Sequence, residues 1–162
     1  MAVKSLIETV TVGAGGAASI EFTDIPQDGS DLVLKLSIRN TDSSNIKIQP
    51  NGTDTTSGIL LRGTGSTVQS FTTSVFTGNR DDLSTANTFG NSSVYISNYT
   101  STTNKSISVD AVSENNGTAA VQDIVAFAQT SSVGVTTLKA VMQSAGNFMQ
   151  YSTASLYKIK YD

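Results

Sequence analysis

The chain has 162 residues, 38% of them hydrophobic and only 14% charged, with 13 acidic against 10 basic side chains and a formal net charge of -3. It contains no His, no Cys and no Trp, which removes imidazole catalysis, thiolate chemistry, disulfides and zinc sites of the usual ligand set. The Lys and Arg residues are scattered instead of forming a basic patch, so direct nucleic-acid binding is disfavoured. No apolar run reaches the ~20 residues that cross a bilayer, and the first twenty residues lack a basic start followed by a long apolar block, so no classical export signal is expected. One soluble domain over residues 1–162 is the expectation.

Ser and Thr make up about 28% of the chain, so its polarity comes from hydroxyls more than from ions, as suits strands and turns. Apolar and polar residues alternate along most of its length. In chain order the alternation predicts strands at Ile7–Val12, Ala18–Phe22, Leu32–Arg39, Ile46–Gln49, Ile59–Arg62 and Phe71–Phe76, then Ser93–Tyr99, Ser106–Val112, Val121–Ala128, Thr136–Gln143 and Thr153–Tyr161. The clearest is Leu32–Arg39, where Leu32, Leu34, Leu36 and Ile38 fall on one face. Turn residues punctuate these runs. Gly13-Ala14-Gly15-Gly16 reads as a hairpin loop, Pro26-Gln27-Asp28-Gly29 and Asn51-Gly52 as turns, and Asn116-Gly117 as a tight hairpin. Asn79–Asn91 lacks alternation and reads as an irregular connection, with a short helical turn at Asp81–Ala86. About ten short strands at even spacing predict an antiparallel sandwich or barrel.

Little here points to chemistry. Pairs of Asp and Glu are the remaining route to hydrolysis, but most lie beside turn residues, where carboxylates accept backbone hydrogen bonds. Gly13–Gly16 precedes a strand instead of a phosphate-receiving helix, and Arg62-Gly63-Thr64-Gly65-Ser66-Thr67 lacks the Gly-Lys-Ser/Thr end of a phosphate loop. Asp81-Asp82 lacks the spaced oxygen ligands of a calcium loop. The chain is therefore read as a non-enzyme with no cofactor and no metal. The tyrosines Tyr95, Tyr99, Tyr151, Tyr157 and Tyr161 read as packing or subunit-contact residues, with a sugar-binding ledge as the sharper alternative.

A longer pattern covers most of the chain. Ile7–Phe22, Asp24-Ile-Pro-Gln27 and Ser30-Asp-Leu-Val-Leu34 begin it; Asn87-Thr-Phe-Gly-Asn91, Val94–Thr100, Asn104–Ser108 and Ser113–Asn116 continue it; Gly146–Tyr157 ends it. In these segments the sequence resembles a family of small virion structural proteins of tailed bacteriophages, especially aquatic phages. It departs at Lys158, where a Gly commonly follows the Leu-Tyr pair, and at Ile59-Leu60, where an aromatic is expected. The resemblance implies an all-β, jelly-roll-like antiparallel β-sandwich of about 8–10 strands that decorates a capsid or forms part of a tail or fibre.

The first expectation is a capsid decoration, or cement, protein on the virion exterior, assembled in the host bacterial cytoplasm. Its partners would be the major capsid protein and further copies of itself, trimers being the commonest arrangement for such proteins. A small chain with its own start Met and no fibre shaft reads as a unit that adds to a lattice already built. Candidate contact residues are Ala2, Val3 and Lys4 in the N-terminal segment, Asn79, Arg80, Asp81 and Asp82 in the irregular loop, and Tyr157 and Tyr161 in the last strand. The alternative is a tail or fibre component that binds host surface glycans.

Overall fold

The computed structural model describes residues 1–42, 44–56, 58–76, 79–80, 84–117 and 120–161, with only the backbone described at 79 and 80. Twelve strands form among these residues: β1 (Ala2–Thr11), β2 (Ser19–Phe22), β3 (Asp31–Asn40), β4 (Ile46–Pro50), β5 (Gly58–Gly63), β6 (Val68–Thr73), β7 (Asn79–Arg80), β8 (Gly90–Ile96), β9 (Lys105–Glu114), β10 (Ala120–Gln129), β11 (Leu138–Met142) and β12 (Thr153–Tyr161). Every segment read from alternation carries one, and β7 adds two residues within the stretch expected to be irregular.

Eight strands form one antiparallel sheet in the order β1-β12-β3-β8-β9-β10-β5-β6, and β2-β11-β4 form a second sheet. The pairing is nested: β1 with β12, β2 with β11 and β3 with β8. The fourth pair is reduced to a bridge between Ile46 at the start of β4 and Phe76, closed by two backbone bonds of 2.9 and 3.1 Å. First strand with last and second with second-to-last is the winding of a jelly roll. Two ribbons are inserted into it, β5–β6 between β4 and Phe76 and β9–β10 between β8 and β11, and both prolong the larger sheet on the same side.

The core lies between the layers. Leu32, Leu34, Leu36 and Ile38 of β3, Val94 and Ile96 of β8, and Ala154 and Leu156 of β12 face Ile20 and Phe22 of β2, Ile46 and Ile48 of β4, and Leu138 and Ala140 of β11, all buried. The smaller sheet turns charge outward, with Lys139 3.2 Å from Glu21. The larger sheet turns hydroxyls outward. One row across its eight strands reads Thr9, Ser155, Lys35, Ser93, Asp110, Ile124, Leu61, Ser70. The β-branched and small polar side chains in that row fit the pleat while staying hydrated.

Three local expectations need correction. Gly13–Gly16 is no hairpin: β1 and β2 belong to different sheets, so this segment carries the chain from one layer to the other. The β9–β10 reversal is not a tight turn, because Glu114 pairs with Ala120 and leaves a five-residue loop in which Asn116 takes the left-handed conformation (φ 56°). Ser84–Ala86, the described part of the expected helical turn, is not helical. Thr88 N–H bonds Thr85 O at 3.1 Å around a left-handed Asn87 (φ 64°), which closes a turn and stops any helix there.

Candidate interaction surfaces

β1 lies at an open edge of the larger sheet, with β12 as its neighbour. Ala2 pairs with Tyr161, Val3 with Lys160, Lys4 with Ile159 and Leu6 with Tyr157, so the expected N-terminal and C-terminal contact residues form one ribbon. A bulge between Leu6 and Glu8 shifts the register and turns Ile7 against the core. On the outer face the Lys4 ammonium stands 4.1 Å from the centre of the Tyr157 ring, a cation–π contact. The Tyr157 row continues through Val33 to Tyr95, which places two phenol rings either side of a buried valine.

Asp31 organises the end of this face. It is 6% exposed, and its Oδ2 accepts the hydroxyls of Tyr95 at 2.5 Å and Tyr161 at 2.8 Å. Its Oδ1 accepts the Asn98 N–H at 2.8 Å. Burial alone would raise the carboxyl's pKa; the three donors outweigh it and hold Asp31 below its ordinary value. The same carboxylate keeps the Tyr95 phenol protonated far above its usual range. Tyr161 at the end of β12 is thereby fastened to β3 and β8. Lys158 reaches Asp28 at 2.6 and 2.7 Å and ties the turn before β3 to β12.

The loop residues lie elsewhere. β7 runs parallel to β3 at Arg39–Asn40, whereas the Ala2–Tyr161 ribbon flanks the Asp31 end. The six to nine steps of β3 between their pairing positions separate the two groups by about 20–30 Å. Asp81 and Asp82 lie outside the described residues. The described residues Thr85 and Thr88 are tied down: Arg39 Nη1 donates to the carbonyls of Thr85 at 2.7 Å and Thr88 at 3.0 Å. Glu114 accepts Thr85 N–H, Thr88 Oγ1–H at 2.8 Å and Asn116 N–H at 2.8 Å.

The opposite edge of the sheet was not anticipated. Among the described residues β6 pairs with β5 alone; Val68 is 81% exposed and Phe71 43%. Ile59, Leu61 and Ile124 are exposed on the adjoining outer face. Their alternation was visible in the sequence, but alternation does not say which strand ends a sheet. The meeting of Tyr95 and Tyr161 on Asp31 is likewise set by register, which the sequence pattern does not show. Among the described residues, no three His, Cys, Asp or Glu side chains are grouped as metal ligands would be. Comparison with known proteins finds no family model, no curated protein and no solved structure that matches this chain.

Proposed function

We propose that the protein is a virion structural protein of a tailed bacteriophage, a decoration protein that binds the outer surface of the head and stabilises it. The observation that carries the reading is the nested jelly-roll pairing, an architecture used by viral capsid domains, in a chain whose sequence resembles small phage virion proteins. A fold by itself does not assign a function, so the resemblance supplies the rest. Adhesion fits the surface: a broad hydroxyl-coated sheet with open edges makes many weak contacts, which multiply across the copies of a lattice. On this reading the protein performs no catalysis and takes no cofactor.

The second reading is a tail or fibre component that binds host glycans. It is favoured by the outer-face tyrosines, Tyr95 and Tyr157, flanking Val33 beside the Asp31 carboxylate, since jelly rolls also serve as lectins. Counting the chain in purified particles by quantitative mass spectrometry separates the two. Hundreds of copies support the head, and a dozen or fewer support the tail. A chain that never joins particles sinks both.

A further inference from the structure

We propose that β6 is the strand through which two copies of this chain join, by antiparallel pairing about a two-fold axis at Ser70. The inference does not depend on the virion reading.

The two open edges of the larger sheet differ in how they meet water. β1 carries Lys4, Glu8 and a bulge, devices that discourage addition of another strand. β6 has none of them. No charged residue and no proline occurs from Gly63 to Asn79, and the strand is exposed at five of its six positions. An uncharged edge that no described residue covers, with Val68 at 81% and Phe71 at 43% exposure, is a strand prepared for a partner. Ile59, Leu61 and Ile124, beside it on the outer face, are 62%, 48% and 54% exposed and enlarge the apolar area.

The hydrogen-bond phase selects the register. Thr64 N–H bonds Thr67 O at 3.0 Å, which makes Thr64 and Thr67 a hydrogen-bonded pair at the turn. Such pairs alternate along an antiparallel ladder. With Arg62 opposite Gln69 and Leu60 opposite Phe71, the N–H and C=O groups of Gln69, Phe71 and Thr73 point at β5. Those of Val68, Ser70 and Thr72 point at the open edge. Placing Ser70 against Ser70 of a second copy opposes Val68 and Thr72 in both directions. All three outward residues of each strand are then used, in three hydrogen-bonded pairs of two bonds each.

The same register keeps outer-face side chains on the outer face, as a continuous sheet requires. Self-pairing is also the electrostatically consistent choice. Copies that each carry a net charge of -3 repel over most of their surface, and β6 is the edge at which no like charges are opposed. A closed two-fold contact of this kind is isologous, so it stops at two copies.

Sedimentation of the full chain between about 1 and 500 μM tests this, a range that brackets modest affinities. A reversible monomer–dimer equilibrium is expected. Ser70→Pro removes an N–H that faces the open edge and leaves the β5 ladder whole, so it should weaken the dimer at least about tenfold with an unchanged circular dichroism spectrum. Should that variant not fold, Val68→Lys, at an exposed position, should weaken it similarly. Adding Thr72→Glu to Val68→Lys should restore the dimer by pairing opposite charges across the axis. Leu6→Lys, at the other edge, should change nothing. A monomer throughout, a trimer, or a dimer indifferent to both β6 variants overturns the proposal. So does a monomer whose Ser70→Pro form loses only its attachment to particles, since the occupant would then be a different protein.

Discussion

Asp31 begins the strand that supplies four of the core's aliphatic side chains, yet it faces the other way and is buried beneath two phenols. Replacing it with Ala strands the Tyr95 hydroxyl and the Asn98 N–H, and should cost about 1–3 kcal/mol in urea unfolding. Tyr161→Phe should cost less, about 0.5–1.5 kcal/mol, because Tyr95 and Asn98 still serve the carboxylate. The pH dependence has a definite sign. Asp31 is held below its ordinary value in the folded chain, so its contribution is complete above about pH 3.9 and is lost as pH falls through the lower folded value. The stability gap between the native chain and Asp31→Ala should therefore be constant from neutral pH to about pH 4 and close below it. A gap that widens on acidification would contradict the assignment. None of this was legible beforehand, since the two phenols lie 64 and 130 residues away in sequence.

At the scale of elements, the inserted ribbon is locked to the sheet by an ion pair. Arg62 of β5 grips Asp123 of β10 through two bonds of 2.7 Å, and the Asp123 side chain is fully buried. The hydrogen bond to Asp123 raises the Arg62 pKa further above its ordinary range. Asp123→Ala leaves a cation at a half-buried position and should cost about 3 kcal/mol, the low end for a broken buried pair because Arg62 retains some water. Replacing both residues with Leu should cost less than the single change, measured by the same unfolding curves. The strand positions themselves were readable, because alternation marks a half-buried strand wherever it occurs. Thr153–Tyr161 matches its prediction at both ends. Phe71–Phe76 does not: β6 runs Val68–Thr73 and Phe76 instead bridges to β4. Alternation does not show that these two aromatic side chains, five residues apart, belong to different sheets, Phe76 buried and Phe71 exposed. Gly58 shows the same limit, since only its register explains it: an added Cβ would stand 1.9 Å from the Ala126 carbonyl.

For the whole molecule, a jelly roll winds its two ends together, so that Ala2 and Tyr161 are paired neighbours while nearly the full chain lies between them. Alternation predicted two layers but not this nesting, which depends on which strands pair across long stretches of sequence and on where the insertions leave the ribbon. The geometry makes a circular permutant informative. A short Gly/Ser linker from the end of β12 back to the start of β1 turns that pairing into a local hairpin, and new ends can be cut between Asn116 and Gly117, both exposed after β9. Closing a separation of ~160 residues down to ~5 gains about 3 kcal/mol of loop entropy, and cutting the five-residue β9–β10 loop forfeits about as much. The permutant should therefore fold to the same all-β spectrum, with stability within about 1 kcal/mol of the native order. A permutant that unfolds or loses its β signal would mean that the β1–β12 contact does not join the ends as the nested pairing requires. Retention of the β6-dependent dimer by a folded permutant would further place that contact on the inserted ribbon, away from the wound ends.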